Sequence, residues 1–188
     1  MAAKQGVAWH LSLVEDDDDW HPETVLTRWA QMLSEDYASE RPAQWTLGNA
    51  AAYLERIMDL ESKANGCAKP PLVVHAEDGR GPAFFEFDPA QPGTGTVHLW
   101  PKQLAQETSP HAALLLAIHE TRHSWQFQVA FSGLGKSAAL RTAFAAGFQA
   151  QQALSGKLSF CDFCTMHHEH EAFQTGNAVG GALTGWTA

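Results

Sequence analysis

Two histidines and a glutamate near the middle of the chain have the spacing of a zinc site with a catalytic base. His119 and His123 are four residues apart, and Glu120 follows the first of them. In a helix both imidazoles lie on one face, one turn apart, so both can reach one zinc ion at about 2.0–2.1 Å. Glu120 lies on the adjoining face, from which its carboxylate can activate a water on the zinc without ligating the metal. This HExxH pattern predicts one Zn2+ per chain and a hydrolytic reaction.

The residues before this pattern predict a buried helix. Ser109 is a good N-cap, Pro110 suits the first helical position, and residues 112–118 are almost wholly apolar. Buried imidazole and carboxylate groups need partners, which a metal ion would supply. The alternative is a polar helix face that meets solvent, with two histidines that bind nothing.

A catalytic zinc site needs a third protein ligand and one open position. In the longer pattern HExxHxxGxxH the last histidine is the third ligand. That histidine is absent here, because Gln126 and Val129 stand where the glycine and the last histidine would be. The third ligand should therefore come from farther along the chain. The densest group of candidates is His167, His168, Glu169, His170 and Glu171.

The segment HETRHSWQ, followed by HEHEA at 168–172, resembles the gluzincins, the HExxH metallopeptidases whose third ligand is a glutamate on a later helix. That glutamate is commonly followed by alanine, so the resemblance implies Glu171, next to Ala172, as the third ligand. Compact members, the minimal gluzincins, have a helix, a short antiparallel sheet, the HExxH helix and the glutamate helix, which is the order over about 46–183. Thr175 departs from the group, since many members have an aspartate there to orient the first histidine.

The periodicity of the chain predicts an α+β domain, mainly helical, with a small antiparallel three-stranded sheet beside the HExxH helix. We expect one domain over 1–188, with an N-terminal helical extension over 1–45 and a metallopeptidase-like core over 46–183. The first two strands should form a hairpin, and the third, Thr96–Trp100, should be the edge that pairs with an extended substrate. The predicted helices cover 20–39, 46–63, 110–131, 137–154 and 162–183, and the strands cover 72–76, 83–87 and 96–100.

Composition narrows the partners and the compartment. The chain has 188 residues and a formal net charge of -9, which argues against a nucleic-acid partner. No signal-peptide core and no stretch of membrane-spanning length occurs, so we expect a cytoplasmic protein with no membrane partner.

Three cysteines, an odd number, do not make a disulfide framework. Cys161 and Cys164 form a CxxC that could be two ordinary thiols, a redox pair or, with His167 and His168, a structural zinc site.

These features together predict a zinc metallopeptidase that acts on a peptide or protein, with Glu120 as the general base and His119, His123 and Glu171 as metal ligands. The oxyanion of the reaction also needs a donor, for which Arg122, His167, His168 and His170 are the nearest candidates in sequence. The alternative from another class is a catalytically inactive metal-binding scaffold or interaction module with a peptidase-like fold.

Overall fold

The structure is a computed structural model and describes residues 47–79, 81–107 and 110–184. The predicted helix over 20–39 lies outside these residues. The described chain is mainly helical with one small sheet, which confirms the α+β class. Its elements are α1 (Leu47–Asn65), β1 (Leu72–Val74), β2 (Ala83–Glu86), β3 (Thr96–Leu99), α2 (Pro101–Glu107), α3 (Pro110–Phe131), α4 (Ala138–Ala153), α5 (Phe160–Cys164) and α6 (His167–Thr184).

The sheet is mixed, which corrects the prediction of an antiparallel sheet. Its strand order is β1-β3-β2, with β1 parallel and β2 antiparallel to β3. The first two strands therefore do not form a hairpin, and β3 is the central strand, not the predicted edge. The physical reason is burial: Val97 and Leu99 of β3 are completely buried, whereas Val73 and Val74 of β1 are exposed. A strand with two completely buried side chains is more stable between two other strands, whereas the short and exposed β1 tolerates a position at the edge of the sheet.

The HExxH helix α3 is the centre of the fold. It packs against α1, α4 and α6 and against β2 and β3, so residues 121–129 are buried on all sides. Several of these buried side chains are polar, among them Arg122, His123 and Gln126, so they need partners inside the protein. The core around it includes Leu54, Ile57, Met58, Phe85, Trp125, Phe127, Phe144 and Phe148.

Two helical segments differ from their predictions. Pro101 ends the third strand as expected, but it also begins the short helix α2, where its fixed φ suits the first position. The last predicted helix is two helices, because α5 ends at Cys164 and α6 begins at His167. Ser159 caps α5 by accepting a hydrogen bond from the Asp162 backbone. None of the helices in the described ranges has the length and apolarity needed to cross a membrane.

Candidate metal centre

The rings of His119 and His123 converge on one point. Their Nε2 atoms are 3.0 Å apart, while the ring centres are only 4.5 Å apart and the ring planes meet at 84°. His75 and His98, on the sheet, offer a comparison: their facing nitrogens are closer, at 2.8 Å, yet the ring centres are 5.1 Å apart and the planes nearly parallel at 21°. That second pair meets head-on, as a hydrogen bond requires. The HExxH pair meets at an angle, as two ligands of one ion do.

Glu169, in the first turn of α6, completes the group. Its Oε2 lies 3.4 Å from His119 Nε2 and 3.3 Å from His123 Nε2. Ligand atoms at about 2.0–2.1 Å from a tetrahedral zinc ion are about 3.3–3.4 Å from one another. Oε2 is buried and makes no hydrogen bond, so its lone pairs have no partner other than the two rings. Two imidazoles and one carboxylate in this arrangement fit zinc, and no other group of three metal-ligating residue types in the described ranges is close enough to hold an ion.

Glu171 lies elsewhere, which corrects its prediction as the third ligand. Its carboxylate is completely buried and pairs with Arg122, whose Nε and Nη2 lie 2.8 Å and 2.7 Å from Oε1. Thr175 and Gln126 also donate hydrogen bonds to it. Residues two apart in a helix point about 200° away from each other, so only one of the two glutamates can face the histidines. Glu169 does so, and Glu171 faces the arginine.

The remaining candidates from the sequence take other roles. His168 is completely buried, and burial together with the nearby His123 lowers its pKa to about 3, so it is a neutral ring. It lies so close to α4 that a Cβ at Gly147 would be 2.4 Å from its Nδ1, which requires glycine there. His167 and His170 are not part of the group of possible ligands. Cys161 and Cys164 are free thiols outside that group, so the structure gives no support to a zinc site at the CxxC.

Gln126 orients His123. The Nδ1 of His123 lies 2.8 Å from Gln126 Oε1, and the Gln126 amide nitrogen donates to the His168 carbonyl at 2.8 Å and to Glu171. Because the amide nitrogen is used on that side, its oxygen must accept the Nδ1–H of the ring. When the ring is neutral, its lone pair is therefore on Nε2, the atom that a metal would bind. The sequence analysis did not predict this role for Gln126, although the residue lies one helical turn after His123 on the same face of the helix.

Gln151 of α4 orients Glu169 in a similar way. Its amide nitrogen donates to Glu169 Oε1 at 3.3 Å, and its oxygen accepts a hydrogen bond from His168 Nε2 at 2.7 Å. This arrangement ties down one carboxylate oxygen and leaves the other to face the histidines. No spacing rule links Gln151 to the HExxH pattern, so the sequence alone gave no signal for it.

We expect Gln151→Leu to weaken zinc binding about 10- to 100-fold, the usual effect of losing an outer partner of a metal ligand. The substitution keeps the size of the side chain but removes the donor to Glu169. Zinc affinity would be measured by competition with a chromophoric chelator. Gln152→Leu is the matched control, because Gln152 is exposed on the same helix. Equal affinities in the two variants would contradict the assigned role.

Glu120 meets the requirements of a proton acceptor beside this group. Its side chain is only 7% exposed, and it lines the cavity that His119, His123 and Glu169 also line. Burial raises the pKa of its carboxyl, the histidines oppose that effect, and Glu169 adds to it. A carboxyl whose pKa lies above its usual range holds a transferred proton more readily, as a general base and acid must.

The electrostatics of the group favour a cation. Burial opposes a charge on His123, but the Glu169 carboxylate outweighs it and raises the pKa of that ring to about 9. His123 and His119 together hold the pKa of the Glu169 carboxyl well below its usual range, although burial alone would raise it. The carboxylate is therefore ionised, and positive charge between it and the rings is stabilised.

A cavity of about 490 Å3 opens onto the candidate metal centre. The four predicted oxyanion donors are not among its lining residues, and Arg122 is fully committed to Glu171, to Asn65 and to the face of Trp125. The amides of Gln151 and Asn177 do line it, and sequence reasoning missed both. Six phenylalanines also contribute to the wall: Phe84, Phe85, Phe87, Phe148, Phe163 and Phe173.

Comparison of the chain with protein-family models, with curated proteins and with solved structures found no match.

Proposed function

We propose that this protein is a zinc-dependent metallopeptidase with His119, His123 and Glu169 as metal ligands and Glu120 as the general base. The observation that carries the proposal is the convergence of three ligand atoms, 3.0–3.4 Å apart, at the wall of a cavity that also exposes Glu120. A metal-holding site with no reaction to perform would not need a buried carboxyl beside the ligands. The third ligand is a glutamate on a later helix, as in the gluzincins, which supports the proposal that the chain is gluzincin-like. The Glu171-Ala172 pair no longer adds to that likeness.

The residues divide the chemistry between them. His123 Nε2, His119 Nε2 and Glu169 Oε2 would hold the ion, which supplies a Lewis acid for the carbonyl and lowers the pKa of water toward about 7. The Glu120 carboxylate takes a proton from the attacking water and later gives it to the leaving amine. Gln126 and Gln151 keep the ligands in orientation, and the aromatic walls keep bulk water away, which strengthens every charge interaction inside.

The location is part of the proposal. Cys67, Cys161 and Cys164 are all free thiols, which is the usual state in a reducing compartment. We therefore propose a cytoplasmic location.

Chelator-sensitive peptide hydrolysis tests the proposal. The zinc-loaded protein would be incubated with a tryptic digest of an unrelated protein, and new peptide termini would be detected by mass spectrometry. We expect cleavage that 1,10-phenanthroline abolishes and added zinc restores. A protein that binds one zinc per chain but produces no new termini would instead be the metal-holding scaffold.

A further inference from the structure

The cavity beside the metal centre has two chemically different parts. Its polar groups, His119, His123, Glu120 and Glu169, lie together, with Gln151 next to Glu169. Apart from the amide of Asn177, the rest of the wall is apolar and consists mainly of phenylalanine and leucine side chains. A volume of about 490 Å3 is in the range of cavities that hold a ligand, about 300–1,000 Å3. The space is therefore large enough for a bulky side chain next to the reacting groups.

The charges of this wall disfavour an anionic substrate group. No lysine or arginine is among the described residues that line the cavity, whereas two carboxylates are. Recognition of a C-terminal carboxylate, or of an Asp or Glu side chain, needs a cationic partner in such an apolar site. The whole chain is acidic as well, with a formal net charge of -9. A peptidase that removes residues from a free C-terminus is therefore disfavoured.

The edge of the sheet gives the substrate its direction of approach. β2 pairs only with β3 in the described sheet, so its other edge is open to an extended peptide. Ala83, Phe84 and Phe85 of that strand line the cavity. A peptide that lies along β2 would send a side chain into the aromatic part of the cavity and bring a backbone carbonyl toward the metal centre.

We infer that the substrate is a polypeptide in which a large uncharged apolar side chain, aromatic or branched aliphatic, is next to the hydrolysed bond. This inference rests on the proposed peptidase function for the identity of the reaction. Binding in the cavity can be measured separately from hydrolysis. Complete burial of such a side chain favours it over a small or charged one by about ten- to a hundredfold in affinity.

Two peptide hydroxamates that differ in a single side chain provide the test. One carries a benzyl group and the other a carboxymethyl group, and both would chelate the zinc in the same way. Calorimetric titration of the zinc-loaded protein should show the benzyl compound binding at least tenfold more tightly. Phe84→Ala should reduce that preference several-fold, since Phe84 lines the cavity yet is 51% exposed and its loss is compatible with folding.

The matched control is Phe160→Ala. Phe160 is 75% exposed and does not line the cavity, so the preference should remain. Equal affinity for the two hydroxamates, tighter binding of the carboxymethyl compound, binding of neither, or the same effect from both alanine variants would overturn the inference. A clear preference for the benzyl compound without hydrolysis of any peptide would uphold the inference about the cavity and refute the peptidase function.

Discussion

Glu120→Gln is expected to lower peptide hydrolysis by about 10²- to 10⁴-fold, the range that a positioned general base contributes, and to leave zinc bound. Glutamine has nearly the shape of glutamate but cannot take a proton from water. The three atoms proposed to bind zinc belong to His119, His123 and Glu169, so the substitution leaves all of them in place. The measurement is kcat/KM on any peptide that the wild type cleaves, together with zinc content by mass spectrometry.

Two further variants make the result specific. His119→Ala should lose both zinc and activity, because it removes a ligand. Glu55→Gln, on the exposed face of α1, should change neither, and it controls for the loss of one negative charge. A Glu120→Gln protein with wild-type kcat/KM would remove Glu120 from the mechanism and leave another group as the base.

Local patterns were enough to predict the helices that position the site. The apolar run before His119 and the Ser109-Pro110 start predict a helix over 110–131, and α3 spans Pro110–Phe131. Strand positions were also predicted, because short apolar runs between turn residues are a local signal. The order of the strands in the sheet was not predicted correctly, because a local pattern does not determine which strand lies between the other two. The burial of Val97 and Leu99, which decides the order, depends on the helices that cover the sheet.

The candidate site also has one part that local sequence predicts and one part that depends on packing. The spacing of His119 and His123 is a property of one helix, and the convergence of their rings follows from it. The choice between Glu169 and Glu171 depends on how α6 is rotated against α3, which neither sequence segment specifies alone. Arg122 is the residue that decides it: a buried guanidinium needs a buried carboxylate, and Glu171 supplies one on the side of α3 away from the ligands. Two glutamates two positions apart therefore serve two different partners.

This division predicts opposite effects of two similar substitutions. Glu169→Gln should abolish or greatly weaken zinc binding, by more than the 10- to 100-fold that loss of an outer partner causes. Glu171→Gln should keep one zinc per folded chain but lower the free energy of unfolding of the metal-free protein by about 3–5 kcal/mol, because Arg122 is left as a buried charge without its partner. Both side chains are at most 2% exposed, so solvent cannot take the place of either partner.

Thermal unfolding with and without zinc separates the two effects in one experiment. An ion that binds only the folded state raises Tm, so the zinc-dependent increase in Tm reports the metal site, while the Tm in chelator reports the ion pair. Glu169→Gln should lose the increase, and Glu171→Gln should keep it from a lower starting Tm. Should Glu171→Gln fail to fold, Arg122→Met with Glu171→Leu would remove both charges together, and zinc binding should return with the fold. The reverse pattern, with zinc lost in Glu171→Gln and kept in Glu169→Gln, would require α6 to be rotated so that Glu171 faces the histidines.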